Sequence, residues 1–591
     1  MTMKRWISLL LAAVMTMMLL TACGEDQTEE DKDALQLRIR ATTAQNDLDP
    51  ISARANGGDT LTYHLFENLM RWEDDGTGHA KLVCGAAESY TFEENVDGSV
   101  VYTCRLREDA EWSDGKAVTA YHFLYGWRRL FEMETEPAEL GELSMVEGFQ
   151  EAREAKNGTL LSGVSVKGKH VLEIKLTSHC AYFLDEFCAG TMTMPVREDV
   201  VEEYGEGWGK TAKAVIGNGP YRLKVMEAGQ VRMVRNEKYW NKEAVGVDEL
   251  IFTWKVSAVS DYNELLCGNI DFLSELPAAA VKTMAKEGTL EVQNVPATYA
   301  LLLNNAAAPF DDGFVRAAFA ALVDPAALAE AMVFETERPA TGFVPHGIAN
   351  RDPLWMAEED VTTSAEETAP AAQTEQESKE AERWDYCSVG DYAMMGEALT
   401  PESRESRART MLSQAGYPNG MGFPAVEYLY VDTPQNTAVA TWLKKRFASV
   451  LNVEIILKPM TNEEAQAQLL SGEYTMAAFR FNAAYDDALA FLQRWQSSKS
   501  VGSGNLVSFS NRAYDLLLSV VNASDGSARE ACLHDAEQLL LEDFGVLPLF
   551  YYGTTAQLGE GLTGLYHHDG QNVYFFDSVS RVVAEEAEVT E

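Results

Sequence analysis

From Glu405 onward the sequence runs helix and strand patterns in strict turn. "ESRARTMLSQAGYPNG" has the spacing of a helix stopped at Gly416, with Pro418 just beyond. "NTAVATWLKKRFASV" is a helix leading into the strand "VEIILK", and "EEAQAQLLSGEY" a helix leading into "TMAAFRF". Few architectures satisfy that order, and the expected one is an α/β lobe with a mostly parallel sheet. Upstream of it, "PFDDGFVRAAFAALVDPAALAEAMV" is helical, with Asp324-Pro325 restarting the second segment as N-cap and N1.

The first half obeys a different rule. "LQLRIRATT" alternates as a strand, and "SYTFEENVDGSVVYTCRLRE" is two alternating runs joined by an Asp97-Gly98 hairpin turn. A second Asp-Gly turn at Asp114-Gly115 precedes a helix capped by Thr119, whose apolar stripe includes Phe123, Trp127 and Phe131. Helical periodicity of that kind marks a core face, so these aromatics pack. Further hairpins span Ser162 to Ser178 and Gly219 to Trp240, and the strand "ELIFTWK" follows. At roughly 100–200 residues per domain, a chain of 591 residues forms three or more compact lobes.

Both ends and one interior stretch lie outside that scheme. A short basic start and "WISLLLAAVMTMMLLTA" describe an export signal. "LTAC" resembles the lipobox of bacterial lipoproteins, which implies acylation of Cys23 and loss of residues 1–22. Residues 23–34 then form an acidic tether, and no later run is long and apolar enough to span a bilayer. Residues 357–382 hold nine acids, one lysine and almost no large apolar side chain. Such a segment cannot bury enough surface to offset chain entropy and is expected to be disordered, as is the tail 583–591.

Composition and motif searches exclude several activities. With 91 acids against 48 bases the net charge is −43, which argues against a nucleic-acid partner. "YGEGWGKT" has Tyr204 where a phosphate loop needs Gly, and "REDVVEEY" where it needs an apolar strand. No GxSxG, HExxH or CxxC occurs, so no nucleophile–base set, metal or cofactor is expected. His567 and His568 read as part of a solvated turn beside Asp569-Gly570. Without Cys23, seven cysteines remain, an odd number.

A run of short motifs then adds what composition does not. After the lipobox come "LDP", "LFENL", "LREDAEWSDGKAVTAYHFLYGWRRL", "GNGPYRL", "RNEKYWN", "LLCGNIDF", "NNAAAPFDDGFVRAAFAALVD", "MLSQAGYPNG", "AYDDALAFL" and "FSNRAYDLLL". In this order they resemble the large solute-binding proteins of peptide ABC importers, from about Leu35 to Val582. The resemblance implies an α/β, periplasmic-binding-protein-like class II fold: two hinged lobes plus an inserted third. Lobe one would comprise 35–66, 191–297 and 554–582, the inserted lobe 67–190, and lobe three 298–553. Trp112, Trp127 and Arg128 then belong to the inserted lobe and are structural.

The implied partners are a peptide ligand, the permease subunits of an ABC importer, and the membrane through Cys23; the implied state is a monomer. The peptide is held in extended form between lobes one and three, largely by backbone hydrogen bonds as in strand addition. The facing walls correspond to Ser52–Asp59, with Arg54 and Asn56, and to Arg480–Asp487. In the oligopeptide-binding members an aspartate in "ADYxxPxxFL" pairs with the free amine of the peptide; here the stretch reads "AAYDDALAFL", with Ala484 at that position and Ala488 for the proline. Either Asp486 or Asp487 takes over, or a free amine is not selected; each aspartate is equally suited to cap the helix that follows. Arg480 is placed to meet a ligand carboxylate or one of these aspartates. Asn482 and Ala297 stand where the family can carry a disulfide, so none is expected there. Rival readings are a family member taking a nickel chelate, haem or oligosaccharide, a peptide sensor without transport, and, from another class, an extracellular hydrolase.

Overall fold

The computed structural model describes residues 34–52, 59–134, 137–332, 336–349, 400–521 and 526–582. Cys23, Arg54, Asn56, residues 23–33 of the acidic tether, the insertion 357–382 and the tail 583–591 lie outside the described residues.

Two six-stranded sheets and one four-stranded sheet organise the chain. The first has the order Ala556–Leu558, Phe272–Ser274, Gln36–Ala41, Glu249–Trp254, Gln230–Arg235, Tyr221–Glu227. Gln36–Ala41 is its centre and pairs in parallel with both neighbours. Leu37 and Ile39 point to one face and are nearly inaccessible, the alternation that the sequence shows. Between Gln36–Ala41 and Tyr221–Glu227 in sequence lies the inserted unit. Its antiparallel sheet has the order Ala87–Glu94, Val100–Leu106, Val171–Leu176, Val164–Gly168, so both predicted hairpins form.

The helix Ala120–Arg129 follows the Asp114-Gly115 turn, with Thr119 as its N-cap. Trp112 and Trp127 have no exposed surface. His122 Nδ1 accepts from the Thr119 N–H at 3.0 Å and from Trp112 Nε1 at 3.2 Å, which ties the turn to the helix. Arg128 is half-buried; it is Arg129 that carries the ion pair, at 2.7 Å to Asp49 of "LDP". The other short motifs meet in the same way. Buried Glu67 of "LFENL" accepts from Tyr239 Oη and from Trp240 Nε1 (2.7 Å), both in "RNEKYWN". Asn218 of "GNGPYRL" donates to the Glu67 carbonyl at 2.8 Å and accepts from its N–H at 3.1 Å. Gly217 lies against the Leu65 carbonyl, where a Cβ would collide.

The third unit holds the other six-stranded sheet: Arg338–Pro339, Val546–Thr554, Gln293–Leu303, Met476–Asn482, Val426–Val431, Ile455–Met460. Only the pairs Val426–Val431 with Ile455–Met460 and with Met476–Asn482 are parallel. The three remaining pairings are antiparallel, so the sheet is mixed and not mostly parallel. Helix–strand alternation forces parallel crossovers only on the strands it connects. Gln293–Leu303 enters from the first unit and runs against both of its neighbours, whereas Val546–Thr554 leaves for the first unit and runs in the same direction as Met476–Asn482. The chain thus crosses between the two large sheets twice, before Gln293 and at buried Thr555. Among the described residues no helix is long and apolar enough to cross a membrane.

Candidate functional site

A cavity of about 360 Å³ lies where the two crossings bring the large sheets together. One wall is the end of Gln36–Ala41 with Thr42 and Thr43. The facing wall is Pro296, Ala483, Ala484 and Thr554, and the turn Gly570–Asn572 closes the floor. The segments Ser52–Asp59 and Arg480–Asp487 contribute Asp59, Ala483 and Ala484.

Three charged side chains reach the wall: Arg40, Asp59 and Glu275. Arg40 is compensated by Asp261 at 3.1 Å and donates to the Trp254 carbonyl at 3.2 Å. Glu275 is ion-paired with Lys255. Asp59 accepts from the Thr191 hydroxyl at 2.9 Å. The remaining polar lining is uncharged, chiefly Thr42, Thr43, Thr60, Ser274 and Gln571. Such a wall offers hydrogen bonds and apolar contact. Among the described residues no group of three His, Cys, Asp or Glu side chains could hold a metal ion.

The loop after strand Met476–Asn482 carries the residues singled out above, and it distributes them. Asn482 sits opposite Ala297 in the antiparallel ladder, and the Ala483 N–H donates to the Pro296 carbonyl at 2.9 Å. Ala484 therefore presents a methyl group to the cavity at the position where the family pattern has a carboxylate. Tyr485 is buried and stacks on Tyr182 of the inserted unit, with ring centroids 4.1 Å apart. Asp486 Oδ1 accepts from the Ala349 N–H at 3.0 Å, and Oδ2 lies 3.8 Å from His568 Nε2. Burial pushes its carboxyl up to about 7, with Asp185, Asp487 and Glu186 adding to the rise. Gly570 approaches so closely that any Cβ there would strike the Asp486 carboxyl group.

Asp487 is committed elsewhere. Both its oxygens meet Arg529 at 2.9 Å, with the side chains of each about 1% exposed. Its Oδ1 also accepts from the Leu489 N–H, 2.8 Å away, at the start of the following short helix. Neither Asp486 nor Asp487 is on the cavity wall. Arg480 meets neither aspartate; it donates to Asn482 Oδ1 at 2.8 Å and lies 4.2 Å from the Tyr552 ring centroid. Arg480 and Asn482 are thus brought together, but beside the cavity and not on its lining.

Some features escaped the sequence. His567 and His568 are not in a solvated turn: both are buried, in a strand paired with Val573–Phe575. His567 is fixed by Asp569 (2.8 Å) and Asn572 (3.2 Å), and the Trp72 ring packs edge-on against His568. The floor turn Gly570–Asn572 carried no sequence signal beyond its glycine. "YGEGWGKT" follows the helix Glu198–Tyr204, so no strand feeds it, as a phosphate loop requires.

Comparison with known proteins agrees with this geometry. The family model for bacterial extracellular solute-binding proteins, family 5 (middle), matches residues 81–503. The periplasmic oligopeptide-binding protein OppA of Haemophilus influenzae is 26% identical, over 85% of this chain and 86% of its own. The periplasmic murein peptide-binding protein MppA of Escherichia coli is 27% identical, over 85% of each chain. Among solved structures, an unliganded open form of MppA superposes with a TM-score of 0.74 at 23% identity, covering 93% of this chain and 98% of that one. Haemophilus influenzae OppA in complex with RPPGFSPFR superposes at 0.64 and 22% identity, covering 93% and 99%. The α/β fold is that of the periplasmic peptide-binding proteins, and the chain is a member of family 5 of the bacterial extracellular solute-binding proteins.

Proposed function

We propose that the protein is a lipid-anchored, extracytoplasmic receptor that captures peptides between its two large sheets and delivers them to the permease of an ABC importer. The observation that carries this reading is the cavity where the two sheets meet, in a chain of this family. Its walls supply hydroxyl and amide groups and few charges, which suits backbone recognition of varied peptides better than selection of one side chain. The "LTAC" sequence supports acylation at Cys23 after removal of residues 1–22. The protein acts as a monomer and does no covalent chemistry.

The methyl group of Ala484 and the commitment of Asp487 to Arg529 favour a ligand whose amine is not read by this loop. That observation also supports a second reading, a non-peptide solute; a relative 24% identical is the probable deoxycholate-binding periplasmic protein YgiS of Escherichia coli.

Two experiments test the proposal. Native mass spectrometry and calorimetry with a mixed peptide library are expected to show retained or bound peptides at Kd values in the micromolar range or tighter. Absence of any peptide binding, with a non-peptide ligand retained on purification, would overturn the first reading in favour of the second. Cys23→Ala is expected to release the protein from membranes; unchanged retention refutes the anchor.

A further inference from the structure

The two walls of the cavity differ in charge. Pro296, Ala483, Ala484 and Thr554 bring no ionised side chain from the third unit. Arg40, Asp59 and Glu275 bring three from the first. Their partners differ in kind. Arg40 is neutralised by Asp261, whose side chain is about 1% exposed and stands outside the lining. Separating that pair would strand a buried charge, so Arg40 stays committed. Asp59 accepts from the hydroxyl of buried Thr191. Glu275 is ion-paired with Lys255, and both side chains are open to solvent, 51% and 33% exposed. An exposed pair of this kind contributes little, and a lysine on its flexible stem turns into water at small cost. Lys255 itself stands outside the lining. Glu275 is therefore the wall charge that a ligand can take over most cheaply.

The backbone fixes where this carboxylate stands. Gln36–Ala41, Glu249–Trp254 and Phe272–Ser274 run parallel, and Thr42, Lys255 and Glu275 follow their carboxyl ends. In open α/β sheets ligands bind at that edge. The Lys255 N–H donates to the Ala41 carbonyl at 2.9 Å. Glu275 has a φ of 60°, in the left-handed region. That conformation is uncommon for a residue other than glycine, asparagine or aspartate, and it concentrates at ligand sites. The Glu275 N–H donates to the Thr555 carbonyl at 2.7 Å, and the Leu276 N–H donates to Thr555 Oγ1 at 3.0 Å. Thr555 is the second crossing between the large sheets. The backbone of Glu275 is thus locked to the joint beside the cavity, while its side chain is held only by a weak, exposed pair.

We propose that Glu275 reads a primary ammonium of the ligand, displacing Lys255, and so supplies from the first sheet the counter-charge that the methyl group of Ala484 does not offer from the third. The inference rests on the reading of the cavity as a peptide site and names the group selected there. An amino terminus and a lysine side chain share this chemistry. An ammonium–carboxylate contact enclosed between two walls is a charge-assisted hydrogen bond shielded from water, and it outweighs the exposed pair that it replaces. Lys255 balances the carboxylate until the ligand arrives, and competes with the ligand for it.

The test is calorimetry on the full-length protein with the tightest-binding lysine-containing peptide of the mixed library. Four forms are compared: unmodified, N-acetylated, with norleucine for lysine, and with both changes. One single change is expected to weaken wild-type binding by about tenfold or more, and which one it is identifies the ammonium as terminus or side chain. In Glu275→Gln all four forms are expected to bind within about threefold of one another, at an unchanged melting temperature. Lys255→Met removes the competitor and is expected to tighten binding of the ammonium form by about two- to fivefold, leaving the doubly changed form as in wild type; a purely structural Glu275 gives no such gain. Equal binding of the four forms by wild type, an ammonium preference that persists in Glu275→Gln, or equal or weaker binding of the ammonium form in Lys255→Met overturns the inference and leaves the proposed function standing. Persistence in Glu275→Gln with loss in Asp59→Asn assigns the ammonium to Asp59 and likewise overturns it. A library from which no peptide binds refutes the proposed function, and this inference with it.

Discussion

Removing the Asp487 carboxylate separates a structural role from a ligand-binding one. The side chains of Asp487 and Arg529 are each about 1% exposed and meet through two 2.9 Å hydrogen bonds. Asp487→Ala leaves a guanidinium buried without its counter-charge, a loss of about 3–5 kcal/mol when one partner of such a pair is truncated. The hydrogen bond to the Leu489 N–H goes with it, about 1 kcal/mol more. Asp486 lies nearby and its ionisation relieves part of that cost, so the net loss is set at about 4 kcal/mol. For a unit of 150–250 residues each kcal/mol moves the melting temperature by roughly 2–4 °C, so the transition of the third unit falls by about 8 °C or more. Differential scanning calorimetry at pH 7 measures this, with peptide affinity determined well below the transition. Asp487→Leu combined with Arg529→Met is expected to recover at least half of the loss, because a buried ion pair is often replaceable by apolar groups. The reasoning fails if Asp487→Ala melts within about 2 °C of wild type, a change of 1 kcal/mol or less, and yet loses peptide affinity. That outcome makes Asp487 a ligand group.

Three further outcomes follow from the same structure. Burial, aided by Arg197, lowers His122 to about 4, so its neutral form is favoured on folding. That stability is complete above the ordinary histidine value of about 6.5 and is lost as pH falls through about 4; melting of wild type between pH 7 and 4.5 therefore declines more steeply than that of His122→Gln. Burial pushes the Cys104 and Cys180 thiols up to about 12, so pulsed alkylation with peptide mapping labels exposed Cys267 first and these two only after unfolding. Early labelling of Cys104 or Cys180 refutes this. Deleting residues 357–382, which lie outside the described residues, is expected to shift the melting temperature by less than about 2 °C; a loss of several degrees shows that the segment packs.

What the sequence determined was whatever depends on neighbours along the chain. Hairpins at Asp97-Gly98, the helix capped by Thr119, and the stop at Gly416 are local, since turn chemistry and period act over a few residues. The position of the loop 482–487 was legible through its resemblance to a family, including the methyl group at 484. Tertiary structure decided which partner each charged side chain meets. Asp487 found Arg529, which is 42 positions away, and the ion pair of the "WRRL" helix went to Arg129 instead of its neighbour Arg128. The buried pair His567-His568 reads as polar in sequence, and only the strand pairing with Val573–Phe575 takes it out of water. The mixed third sheet was hidden for the same reason: strand direction depends on where a strand enters the sheet, and Gln293–Leu303 enters from the first unit and runs against both its neighbours. Charge pairing and strand direction are long-range choices, made by contacts between residues far apart in the chain, and no local pattern records them.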